Sequence, residues 1–163
     1  MRPCYTSNKQ YEFFAASAGE TIAQQMKAYP GMTDHNLIHL LKQDYLKSAI
    51  QNLMRAYIEE SVVEYYKKNE IPAPPTNYMH IENARDYLKV MLRHEFDTRY
   101  IKRGEETYEF LMAAIEQQVK TFVVDDLVER TDAIARKNPK NIKVSTISYD
   151  GGILRDDPPQ LQH

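Results

Sequence analysis

From Asp34 to Lys68 the chain runs 35 residues (34 to 68) without a glycine or a proline. Nothing else in the sequence limits the fold as strongly. Leu37, Leu41, Tyr45, Ala49, Leu53, Val62 and Tyr66 recur through it at helical spacing, which puts them along one side of a helix rather than on alternate faces of a strand. Unbroken, such a helix would span roughly 50 Å at about 1.5 Å per residue. That is long for a domain of this size, so the run either bends, with Asp44 the natural place, or reaches into a partner; a bend is the expectation.

The flanking segments follow the same rule. Ser7-Asn8-Lys9-Gln10 has the Ser-x-x-Gln form of a capping box. Tyr11, Phe14, Ala18, Ile22, Met26 and Tyr29 then form one apolar stripe, interrupted only by Gly19. A glycine there weakens the helix by about 1 kcal/mol relative to alanine. Pro30-Gly31 closes the segment, and Thr33 or Asp34 caps the next. Prolines 72, 74 and 75 exclude helix and set an extended strap. A third helix is expected from about Met79 to Lys102, with Ile81, Ala84, Leu88, Met91, Phe96 and Tyr100 inward and Arg103-Gly104 as its stop. A fourth is expected from Glu105 to Asn138, with Tyr108, Met112, Ile115, Val119 and Phe122 on one face.

The fold class that follows is all-α, a four-helix bundle-like domain over residues 1–141. Residues 142–163 change character. Ile142 to Ser148 alternate apolar and polar before the turn signal Asp150-Gly151, which predicts a short C-terminal β-hairpin. The proline-containing end beyond it reads as a disordered tail.

Several functions are argued against by what the chain contains. Its 42% hydrophobic and 27% charged residues fit a folded domain rather than a disordered chain. No run approaches about 18 apolar residues, so no membrane span is expected. The first residues lack the apolar core of a secretory leader, and the expected location is cytoplasmic. The lone Cys4 allows neither an internal disulfide nor a cysteine-based metal site.

Catalytic and cofactor motifs are also missing. The chain has no P-loop, no nucleophile elbow and no dinucleotide fingerprint, and only five glycines with which to build a phosphate cradle. His35 and His39 share a helix face, but no neighbouring segment supplies further ligands. No glutamate is followed three residues later by a histidine, which excludes the usual di-iron bundle. Neither a catalytic residue, a metal ligand nor a cofactor is nominated.

Two readings then stand. Tyr57, Ile58, Val62, Tyr65 and Tyr66 make the second helix apolar around more than one face. A helix of that breadth is either central or shared with another chain. On this basis the protein is expected to be a non-enzymatic accessory or adaptor protein acting through protein–protein contact, as a homodimer. Alternatively, Arg93, Arg99, Lys102 and Arg103, with Arg130, Arg136, Lys137, Lys140 and Lys143, form basic clusters at the ends of the third and fourth helices. They suit a small nucleic-acid-binding regulator. Cations at helix C-termini also complement the helix dipole with no ligand at all. The net charge of −2 lacks the basic excess of a general nucleic-acid coat.

Overall fold

A computed structural model of the chain describes residues 7–98 and 105–140. They are helical and contain no strand. In chain order the helices are α1 (Asn8–Gln25), α2 (Asp34–Leu41), α3 (Asp44–Lys68), α4 (Ile81–Thr98), α5 (Glu105–Phe122) and α6 (Val124–Lys137). None is long and apolar enough to cross a membrane. The hairpin and tail expected over 142–163, and the stop at Arg103-Gly104, lie outside the described residues.

The capping box at the start of α1 is formed in both directions. The Ser7 hydroxyl accepts from the Gln10 amide at 3.1 Å, and the Ser7 amide donates to the Gln10 side chain at 3.0 Å. Tyr11, Phe14, Ala18, Ile22 and Met26 are buried, so the stripe is the core face of α1. Gly19 does more than weaken this helix. A Cβ there would lie 2.4 Å from Ile38 Cγ1 and 3.1 Å from the Ile38 amide nitrogen. The glycine lets α2 rest directly on the α1 backbone. Gly31, at φ 83°, then reverses the chain into the Thr33 cap of α2, whose hydroxyl accepts from Asn36 at 3.2 Å.

The long run without breakers does divide just before Asp44. Gln43 is extended (φ −63°, ψ 138°) and offers no side-chain cap to α3. Tertiary structure makes the bend instead: the buried Tyr11 hydroxyl donates to the Leu41 carbonyl at 2.8 Å, satisfying an acceptor that the helix end leaves open. Leu37, Leu40 and Leu41 thereby stay against the core on one side of the bend, while Leu46, Ala49, Ile50 and Leu53 enter it from the other.

Helix α3 is the centre of the molecule and packs on α2, α4, α5 and α6. It ends in a double turn: Glu70 donates to the Lys67 carbonyl at 3.1 Å and Ile71 to the Tyr66 carbonyl at 3.0 Å. This is the Schellman arrangement, with Glu70 at φ 58° where glycine is usual. The proline strap that follows is exposed and held by α3. Arg55 donates to the Asn77 carbonyl at 2.8 Å, and the Glu60 carboxylate accepts from the Ile81 amide at 2.7 Å. A carboxylate from α3 therefore caps the start of α4, where the dipole favours negative charge.

The single fourth helix expected from Glu105 to Asn138 is two. Val123 interrupts it, yet its amide reaches the Val119 carbonyl at 3.1 Å and its carbonyl receives Leu127 at 3.0 Å. The backbone hydrogen-bond ladder thus continues through the joint at these two positions. With the Gln43 bend, this makes six helices among the described residues, where four segments were expected.

Candidate functional site

The structure divides the five residues nominated on α3. Tyr57, Ile58 and Tyr65 are buried within this one chain, while Val62 and Tyr66 are half-buried. The helix is apolar all round because four other helices cover it.

Tyr57 belongs to a polar network on the α3–α4–α5 seam. Its hydroxyl donates to the Glu116 carboxylate, which also accepts Arg85 Nε at 2.9 Å on Oε1 and Arg85 Nη2 at 2.6 Å on Oε2. Lys120 lies over the Tyr57 ring, 5.6 Å from its centroid. Burial pushes the Glu116 carboxyl up, but the hydrogen bonds and charge of Arg85 and the Tyr57 hydroxyl outweigh it and hold the group below its usual range. Burial, then the hydrogen bond and charge of Glu116, raise Tyr57. The Tyr57 hydroxyl, the Glu116 carboxylate and the Arg85 guanidinium thus pair with one another across the seam.

The basic clusters are in part already occupied. Arg130 pairs with Glu59 at 3.3 Å and with Asp126, one turn earlier, at 3.4 Å. The Arg93 guanidinium stacks on the Tyr108 ring, 4.1 Å from its centroid. Arg136, Lys137 and Lys140 are exposed near the end of α6. Arg99, Lys102, Arg103 and Lys143 lie outside the described residues. His35 and His39 are exposed, with His39 bonded to Gln43 at 3.1 Å. Among the described residues no group of three or more His, Cys, Asp or Glu is placed to hold a metal ion.

Sequence periodicity passed over the feature that stands out most. Phe13 is 69% exposed on α1. It forms a wall of a cleft of about 390 Å³, whose lining includes Ile58, Phe122 and Val123 with Lys9, Asp125 and Glu129. The neighbouring Phe14 is buried and packs edge-on against Phe122 at 5.2 Å, so the cleft is backed by solid core. Ile58, from the nominated α3 set, contributes to this lining while itself almost wholly buried. A signal was available: of the adjacent pair Phe13-Phe14, only Phe14 fits the inward stripe, which leaves a large aromatic on the outer face. A second groove of about 790 Å³ lies by the α1–α2 turn and is lined largely by polar residues, Glu20, Thr21, Gln24 and Thr33 among them.

No protein-family model, curated protein or solved structure matches this chain.

Proposed function

We propose that this bundle-like helical domain is a non-enzymatic accessory or adaptor protein that works by binding another protein, and that the cleft beside Phe13 is its binding site. The observation that carries this reading is Phe13 itself. A phenylalanine 69% exposed, beside a cleft with an apolar floor, is the kind of anchor that protein interfaces use.

Selection of random linear peptides against the full chain tests the proposal. Enriched peptides are expected to compete with one another and to lose binding to Phe13→Ser, a change that leaves the core intact. Enriched peptides that bind Phe13→Ser as well as the parent, or a failure to enrich any, would overturn it. Light scattering of the same two proteins reads the homodimer: a salt-insensitive dimer lost in Phe13→Ser places a second copy at this cleft. Assembly seen only with nucleic acid at low salt would bring forward the exposed Arg136, Lys137 and Lys140 instead.

A further inference from the structure

The strap between α3 and α4 carries more prolines than ending a helix requires. The double turn at Glu70 and Ile71 already closes α3, with Glu70 at φ 58°. Pro72, Pro74 and Pro75 follow that stop, and each is exposed rather than buried against a helix. Prolines stiffen a connector wherever they stand; here they also set its shape. Each fixes its own φ near about −65°. Ile71, Ala73 and Pro74 each precede a proline, which keeps them extended as well. Residues 71–75 are thereby restricted to polyproline II backbone, and residues 71–80 belong to neither helix nor strand. Polyproline II repeats every three residues at about 3.1 Å each, so Pro72 and Pro75 lie on one edge, roughly 9 Å apart. Ile71-Pro72 and Pro74-Pro75 are then two successive x-Pro steps in register, in the order Pro-x-x-Pro.

We infer that the strap is itself a ligand, and that residues 71–75 dock into the aromatic-lined groove of a partner domain that recognises polyproline II segments. Such grooves seat x-Pro steps against aromatic rings, and they gain affinity because the ligand is ordered before it binds. The fold adds to that order. The Ile71 amide is held on the Tyr66 carbonyl at 3.0 Å at one end, and Arg55 holds the Asn77 carbonyl at 2.8 Å at the other. Between these anchors residues 72–76 are exposed throughout, so the motif is presented and not used to pack the fold. Holding both ends lowers the ordering cost that a free peptide meets on binding. The inference goes beyond the Phe13 cleft and does not rest on it, because the strap contributes nothing to the cleft lining. An adaptor built this way has a separate surface for each of two partners.

The full chain is titrated against an arrayed set of SH3, WW and EVH1 domains, the classes that bind proline-rich segments through aromatic grooves. At least one domain is expected to bind the chain, and to bind it more tightly than a free peptide of residues 69–78. The Pro72→Ala/Pro75→Ala double variant should weaken that binding about tenfold or more. Inserting two glycines between Ala73 and Pro74 keeps all three prolines and both anchors but breaks their one-turn spacing. It should abolish binding with the helical circular dichroism unchanged. Phe13→Ser should bind as the parent does. No binding of the full chain by any domain of the set overturns the inference, as does binding that survives the glycine insertion. A free peptide that binds more tightly than the chain also overturns it, since the fold would then hide the segment. Binding lost in Phe13→Ser would place the contact at the cleft and remove the strap as the ligand.

Discussion

Replacing Gly19 with alanine sets two known effects against each other at one atom. Alanine in a helix interior gains about 1 kcal/mol over glycine through backbone entropy and propensity. Here the new methyl would sit 2.4 Å from Ile38 Cγ1 and 3.1 and 3.2 Å from the Ile38 amide nitrogen and Cα. The side-chain clash can be relieved by rotating Ile38, but the backbone clash requires α2 to move. Overpacking of that kind typically costs about 1–3 kcal/mol. The net expectation is a loss of about 1 kcal/mol, seen as a fall in Tm of roughly 2–4 °C for a chain of this length. Thermal and urea unfolding by circular dichroism measure it. Repeating the change in an Ile38→Ala background removes the side-chain part of the clash. The penalty should then shrink, giving a coupling of roughly 1 kcal/mol between the two positions. If Gly19→Ala raises Tm in the parent background, the close approach of α1 and α2 is not what the glycine serves, and the packing argument is refuted.

Two further outcomes follow from the polar network and the α3 end. Because the folded Glu116 pKa is lowered, its contribution is complete above the ordinary unfolded value of about 4.3 and is lost as pH falls through the lower folded value. Glu116→Gln should cost about 1–3 kcal/mol near neutrality, by leaving Arg85 poorly paired, and should flatten the acid limb of stability; an unchanged acid limb would show that Glu116 titrates normally in the fold. Glu70→Gly should raise stability by about 0.5–1 kcal/mol, since it removes a side chain from the left-handed backbone at φ 58°. A drop in the urea midpoint would mean that the Glu70 side chain contributes more than its strained backbone costs.

The sequence made legible what depends on neighbours along the chain and little of what depends on neighbours across it. The Ser7–Gln10 box, the α1 stripe, the Thr33 cap and the proline strap are local patterns, and each lies where its spacing requires. The bend before Asp44 has no breaker residue. Its stabilising partner, Tyr11, comes from another helix, so chain length could suggest a bend but not explain it. Val123 divides α5 from α6 with the same absence of local warning. The breadth of apolar residues on α3 was visible, but only packing shows that α4, α5 and α6 consume it. The Asp126–Arg130 pair was readable as an i,i+4 spacing, and it removes one cation from the cluster that suggested phosphate binding. The cleft escaped notice because its wall comes from α1 and its rim from α6, more than a hundred residues apart in sequence.

The way α3 grips the strap has a consequence for how the chain can be re-engineered. Arg55 holds the Asn77 carbonyl and Glu60 holds the start of α4, so residues 72–76 are tethered at their far end by side chains rather than by the turn itself. The antiparallel docking of α4 on α3 should therefore outlast loss of covalent continuity in the strap. New chain ends placed between Ala73 and Pro74 would leave both anchors in place, and a flexible insert there would lengthen a loop whose closure cost grows only slowly with length. The exposed prolines are thus the natural point for circular permutation or for carrying a fused reporter, on a segment that contributes no residue to the lining of the Phe13 cleft.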